Sequence, residues 1–309
     1  MMVLIGGLRG HSLQIINNFY TLTLVHNQEE NLQSILDAYS SQSFIPDSFV
    51  FVLDRCSDNS ENILKKFSEN HNTKIIQNTF GKGFMSGYCR DLGTNAIQKE
   101  NINANILFLD GDCIPTHDLF LEVSNILKTP KQTITINSRL NQFEKDSSVY
   151  LSDSRVGNPW LKDLIFVDGK NNIVKNMDLS RLRMITWSCC LGMNSLAITE
   201  VKNINKNLYN IERIFSPAFD GTWGGEDDFV GLSAMLFGID VVAINPEHNV
   251  KHIWHESKSN EDFLKNSKKE YEKLLELAHK KNATGLHFSK TDMQSYSRKY
   301  FENLQKGYL

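Results

Sequence analysis

Short, almost continuous apolar runs spaced along the chain restrict it to a layered α/β architecture. The runs are "TLTLV" (21–25), "FVFVL" (49–53), "TKIIQ" (73–77), "NILFL" (105–109), "TITIN" (133–137) and "DVVAI" (240–244). Their length and apolar content predict strands buried on both faces. Between the first two, Leu32, Ile35, Leu36 and Tyr39 recur at helical spacing, and Ile63, Leu64 and Phe67 do so after the second. Strand alternating with helix predicts a mostly parallel sheet flanked by helices, with ligands gathered at the carboxyl ends of its strands.

With 309 residues, 40% of them hydrophobic, the chain has room for one large domain plus an appendage or for two modest domains. The formal net charge is −3, but residues 251–309 carry 12 Lys/Arg against 8 Asp/Glu, which leaves the first 250 residues at 21 against 28, or −7. That acidic portion is unsuited to polyanions without a metal, whereas the basic tail reads first as a solvated Lys-rich helix and second as a phosphate or membrane-surface contact. Five cysteines, an odd number without a CxxC pair, fit a reduced, cytoplasmic setting, with peripheral membrane contact left open. The apolar start is broken by Gly6, Gly7, Arg9 and His11, too soon for a signal-peptide core or a membrane span. Residues 138–186 are polar, Asn-rich and poorly periodic, and are expected to form long loops or a lid. Near the end, Ser259 and Asp262 have capping-box spacing, and Tyr271, Leu274, Leu275 and Ala278 share one helical face.

Polar residues fall at the strand ends. "FVFVL" runs into Asp54, and "NILFL" runs into Asp110-Gly111-Asp112, where a nucleotide is expected to bind. Two carboxylates one residue apart can present oxygens to a hard divalent cation and to a ribose or sugar hydroxyl. A hydrogen-bonded Asp turn is the competing account.

The segment "TLVHNQEENLQSILDAYSSQSFIPDSFVFVLDRCSDNS" resembles the opening of family 2 glycosyltransferases of the GT-A fold. "GKGFMSGYCRDLGTNAI" is similar to that family's Gly-containing loop and Arg-bearing helix, and "LFLDGDCIP" to its metal-binding D-x-D. Together these cover about residues 20–120. "GTWGGEDDFVGL" resembles the W-G-G-E-D-D segment of the β-1,4-galactosyltransferases, and "NVKHIWHES" the downstream segment that supplies a metal-binding His. The resemblance implies a Rossmann-like GT-A domain over residues 1–256, with a nucleotide-binding half at 20–120 and an acceptor and catalytic half at 180–256. Residues 257–309 would be a C-terminal helical extension.

It also implies a metal-dependent, inverting transfer of a sugar from a nucleotide-sugar, expected to be a UDP-sugar, to an acceptor hydroxyl. Inversion needs a carboxylate opposite the leaving group to take the acceptor proton. Asp227 is the candidate base, and Glu226 the sugar or acceptor contact. Trp223 would offer a ring face to a sugar, with Gly225 and Asp228 beside it as substrate contacts. The three acids would equally favour the positive end of a following helix, a position that also lowers a carboxylate's pKa and makes a poorer base. On the donor side the implied nucleotide contacts are Val25, Asn27, Asp54, Arg90 and Asp110, with Lys82 a weaker candidate. Arg90 reads equally as an ion pair. Asp112 and His252 would bind manganese or magnesium, with His248 and His255 as rivals to His252. His26 and Gln28 depart from the basic residues that galactosyltransferases tend to carry there. Trp187 begins "WSCCLGMNSLAI", where the family has a strand lining the sugar pocket.

Other readings stay open. Polypeptide N-acetylgalactosaminyltransferases, which retain configuration, share W-G-G-E but usually follow it with Asn. "IGGLRG" (5–10) resembles the phosphate loop of sugar nucleotidyltransferases, without the following Thr-Arg. An inactive carbohydrate-binding module would not need Asp110, Asp112 and Asp227. The acceptor is expected to be a glycan, with a lipid-linked sugar, a protein or a modified nucleic-acid base as alternatives.

Overall fold

A computed structural model of the chain describes residues 18–136, 139–152, 189–245, 247–255, 261–281 and 283. The "IGGLRG" loop, Trp187, Ser259, most of the 138–186 stretch and all of 284–309 lie outside the described residues.

The six apolar runs form six strands: β1 (Phe19–Val25), β2 (Ser48–Asp54), β3 (Thr73–Asn78), β4 (Asn105–Asp110), β6 (Thr133–Ile136) and β10 (Asp240–Ala243). With β9 (Cys190–Met193) they make a seven-stranded sheet in the order β10-β6-β9-β4-β1-β2-β3. The pairs β1–β2, β1–β4, β2–β3 and β6–β10 are parallel, and β9 alone runs antiparallel to both neighbours. Every residue of β2 is buried, as its unbroken apolar run requires.

Helices cover both faces. On one side α1 (Leu32–Ser40), α2 (Ser60–Ser68) and α4 (Leu119–Leu127) pack Ile35, Leu36, Tyr39, Leu64, Phe67 and Phe120 against Phe49 and Phe51. On the other, α3 (Ser86–Glu100) and α5 (Ser195–Tyr209) bury Cys89, Ile97, Ala197, Ile198 and Val201 against Leu22, Val52 and Phe108. Each fully buried Leu, Ile or Phe contributes about 1.5–3 kcal/mol relative to exposure. Helix α3 sits close to the sheet because Gly93 has no side chain: a Cβ there would lie 2.5 Å from Leu22 Cδ1.

Two helices follow. Helix α6 (Glu226–Phe237) starts after Gly225 (φ 96°) and stops at Gly238 (φ 75°), both left-handed positions that favour glycine. Helix α7 (Glu261–Lys280) buries Tyr271, Leu274, Leu275 and Ala278 in a cluster with Phe229, Leu232 and Leu236 of α6. The helix expected as an extension thus shares a core with the element that opens on Glu226. No helix among the described residues is long and apolar enough to cross a membrane.

The lid expected over 138–186 is corrected in part. Residues 139–142 and 150–152 form strands β7 (Arg139–Gln142) and β8 (Tyr150–Ser152) of a second sheet. Its order is β5-β11-β7-β8, where β5 is Cys113–Pro115 and β11 is Val250–His252. Strand β11 lies antiparallel to β5, with His252 opposite Cys113.

Candidate active site

The carboxyl ends of β1, β2 and β4 form the floor of the site. Val25 ends β1 and is fully buried. Asn27 follows in a left-handed conformation (φ 50°), and its Oδ1 accepts from the backbone N–H of Ser57 at 2.8 Å. Asp54 ends β2, and its carboxylate is held by Arg55 through Nε and Nη2 at 2.8 and 2.7 Å and by Asn78 Nδ2 at 2.8 Å. Burial pushes Asp54 up, but the hydrogen bonds from Arg55 and Asn78 outweigh it and leave the group below the usual carboxylate range. Arg55 adopts φ 51° and donates to the carbonyls of Gly81 (Nη1, 3.2 Å) and Gly83 (Nη2, 2.5 Å), which ties the Gly-containing loop to the end of β2. Neither Arg55 nor Asn78 was among the sequence candidates, although both directly follow or end a strand.

Asp110 and Asp112 leave β4 on either side of Gly111. A Cβ at Gly111 would lie 2.6 Å from the carbonyl oxygen of Leu24, so the close passage of this turn over β1 requires glycine. Asp110 Oδ1 accepts from Arg90 Nη2 at 2.6 Å, and Arg90 Nη1 donates to Glu226 Oε1 at 2.9 Å. Ser86 Oγ donates to the same Glu226 oxygen at 2.7 Å. Arg90, which the resemblance turned toward a diphosphate, is 2% exposed and closed between two carboxylates. Burial pushes Asp110 up, opposed by Arg90 and reinforced by Asp112. Glu226 is 5% exposed, and its second oxygen, Oε2, is buried without a hydrogen-bond partner among the described residues.

Asp112 faces two imidazoles. His252 Nε2 and His255 Nε2 each lie 3.6 Å from Asp112 Oδ2, and one ligand atom from each of the three residues falls within 4.8 Å of the others. The pairing of β11 with β5 brings these residues together across 140 positions of sequence, and Ile253 N donates to the Asp112 carbonyl at 2.8 Å. Burial raises Asp112, but His252 and His255 outweigh it and hold the group low. A carboxylate with two imidazoles is a donor set that could hold a divalent cation. His248 lies outside this cluster.

The W-G-G-E-D-D stretch enters α6 through Gly224 (φ 80°) and Gly225 (φ 96°). Trp223 is 41% exposed, Asp227 half-buried and Asp228 buried. Asp227 Oδ1 accepts from the N–H of Asp228 at 2.9 Å, in the first turn of the helix.

A comparison with curated proteins finds no match. Among solved structures, the fold is similar to S. aureus TarS 1-349 in complex with UDP-GlcNAc, at TM-score 0.61 and 14% identity, over 91% of this chain and 71% of that one. It is also similar to GalNAc-T7 with UDP, GalNAc and Mn2+, at TM-score 0.56 and 13% identity, over 95% of this chain and 56% of that one. These likenesses, together with the mostly parallel sheet, make the fold GT-A. The pattern described as "Glycosyl transferase family 2" matches residues 21–201, more than half of the chain and every strand-end residue from Val25 to Asp112. A chain that carries this pattern on this fold, with its acidic residues at the strand ends, belongs to glycosyl transferase family 2.

Proposed function

We propose that this glycosyltransferase uses a nucleotide-sugar, with a UDP-sugar as the first candidate, and that it is metal-assisted and inverting. The observation that carries the reading is the Arg90 bridge, which joins the D-x-D carboxylate Asp110 to Glu226 at the head of α6. Two acidic segments far apart in sequence thereby border one site. The nucleotides bound by TarS and GalNAc-T7 support the donor class.

Val25, Asn27 and Asp54 would line the nucleotide end, with Arg55 and Asn78 keeping Asp54 ionised and fixed. Arg90 orients Asp110 and Glu226 rather than meeting the diphosphate. Glu226 Oε2, buried and unpaired, suits a sugar hydroxyl donor, because an unmet buried acceptor costs free energy until one arrives. Asp112, His252 and His255 would hold a divalent cation, whose chemistry is to offset charge on the leaving diphosphate.

Asp227 would take the acceptor proton. It is the second residue of α6, where the helix dipole favours negative charge and also makes a carboxylate a weaker base, so its role needs desolvation when substrate closes the site. The W-G-G-E-D-D resemblance supports the same assignment. Trp223, exposed and ahead of the helix, would stack on an acceptor sugar, with Gly225 and Asp228 beside it.

The test is a panel of UDP-, GDP- and CDP-sugars incubated with manganese, magnesium or a chelator, followed by nucleoside diphosphate release. NMR of the product gives the anomeric configuration. Release of UDP that stops with chelator and yields an inverted product supports the reading. No release from any donor would overturn it, and a retained configuration would remove Asp227 as base.

A further inference from the structure

Helix α3 carries a second buried charge directly after Arg90. Asp91 is 2% exposed and accepts from the backbone N–H groups of Ile214 at 2.7 Å and Phe215 at 3.3 Å. It also accepts from Arg213 Nε at 2.8 Å. Arg213 turns its remaining two nitrogens on Asp220, Nη1 to Oδ2 at 2.6 Å and Nη2 to Oδ1 at 2.8 Å. One residue later, Gly221 N donates to the Phe84 carbonyl at 2.7 Å, just ahead of α3. The stretch 213–226 is therefore fastened to α3 at both ends, by Asp91 at its start and by Arg90 at Glu226.

Between those ends the chain makes short turn bonds and buries Phe215 and Phe219, but it belongs to no α-helix or named strand. It contains one three-residue 3-10 turn (Pro217–Phe219) and positive φ at Gly221, Gly224 and Gly225. Glycines widen the range of paths open to the backbone, so a single path needs ties from outside the stretch. Arg213 supplies such a tie. Its planar fork fixes Asp220 in two directions while a third donor holds Asp91, which a lysine ammonium on a flexible stem does not reproduce.

We propose that Arg213 is a positioning residue: by bridging Asp91 to Asp220 it sets the path of residues 214–225 and so the placement of Glu226 and Asp227. The kinetic part of this proposal rests on the glycosyltransferase reading of those two acids. A small displacement of a reacting group from its productive position costs turnover far more than it costs ground-state binding of a nucleotide held elsewhere.

The experiment uses the full chain as Arg213→Gln, Arg213→Lys and Asp220→Asn, with Glu212→Gln as control, since Glu212 pairs with Lys206 on the surface nearby. Asp220→Asn is the milder variant because it leaves Asp91 paired with Arg213. Hydrogen–deuterium exchange should rise over residues 216–228 in all three variants and stay unchanged over β1 to β4 and in the control. Calorimetric binding of UDP with manganese should hold, while kcat for UDP-N-acetylglucosamine hydrolysis falls by up to about 10²-fold with KM little altered. Arg213→Lys should resemble Arg213→Gln; wild-type behaviour of the lysine variant would overturn the fork argument. If Arg213→Gln does not fold, unchanged exchange in Asp220→Asn overturns the proposal by itself. Parallel loss of UDP binding and turnover would also overturn it, as a global effect. If wild type hydrolyses no nucleotide-sugar, the functional reading fails, while the exchange data still decide whether Arg213 sets this segment.

Discussion

Arg90 and Glu226, 136 residues apart in sequence, share a 2.9 Å hydrogen bond inside the molecule. Because Arg90 also holds Asp110, one guanidinium joins the carboxyl end of β4 to the start of α6. Arg90 and Glu226 are buried and Asp110 is partly exposed; a charge set of this kind is weak evidence for net stability, but removing its cation strands the buried carboxylate.

Arg90→Met should therefore cost about 3–5 kcal/mol, because it leaves Glu226 and Asp110 without their cation. Adding Glu226→Gln should return part of that loss by neutralising the better buried partner. Urea denaturation of the two variants and wild type checks this; equal stability of Arg90→Met and wild type would show that the triad is not closed in solution.

A second prediction concerns the cluster at Asp112. His252 lies on β11, is 16% exposed on its side chain and is fixed by pairing with β5, whereas His255 lies beyond the strand and is 50% exposed. A ligand held in place loses less freedom on binding, so His252→Ala should weaken manganese binding more than His255→Ala. The larger loss should exceed the 10- to 100-fold, roughly, that removal of an outer-shell partner costs. Asp112→Asn should abolish metal-dependent turnover with the fold intact. Titration calorimetry with manganese in the presence of UDP ranks the variants, and the reverse order of the two histidines would transfer the principal role to His255.

The third prediction follows from Asp54. Its pKa is lower in the folded chain than in the unfolded one, so the unfolded state binds the proton first. The contribution is fully present above the unfolded value, near 4, and is lost as pH falls through the folded value. The stability difference between wild type and Arg55→Gln should accordingly be largest at about pH 6 and shrink below about pH 4. Chemical denaturation at a series of pH values measures it. A difference that does not change with pH would mean that Arg55 acts through its bonds to Gly81 and Gly83 rather than through Asp54.

Much of this arrangement is legible in the sequence, for a physical reason. Strands buried on both faces are largely apolar, so β1, β2 and β4 announce themselves, and Asp54 and Asp110 stand out as the acids that end β2 and β4, with Asp112 two positions on. The second sheet is not legible in that way. Strand β7 reads Arg-Leu-Asn-Gln, is half-buried throughout and has neither an apolar run nor alternation; it exists because β11 offers it an edge. The roles inside the site divide similarly. Arg90 is visible as a residue of the family pattern, but its enclosure by Asp110 and Glu226 depends on tertiary contacts. The Asp91–Arg213 pair spans 122 residues and has no local signal.

The acidic turn at the head of α6 gives the last prediction. Asp227 and Asp228 are adjacent, in the same first helical turn, and carry the same charge, but Asp228 is buried and Asp227 is half-buried. If Asp227 takes the acceptor proton, Asp227→Asn should lower turnover by about 10²-fold or more, because base catalysis supplies at least that much, with nucleotide affinity nearly unchanged. The substitution preserves volume and an acceptor oxygen for the Asp228 N–H, so it tests proton transfer more than packing. A helix-dipole role alone predicts a different pattern, a stability loss of about 0.3–1 kcal/mol and little kinetic effect. Asp228→Asn removes the same charge one residue along, where the helix dipole is felt equally. Turnover, UDP binding and melting temperature of both variants separate the accounts. Small and equal kinetic losses in the two would mean that the acids serve the helix, whereas a loss of kcat confined to Asp227→Asn, with Asp228→Asn changing KM alone as a substrate contact would, assigns the proton to Asp227.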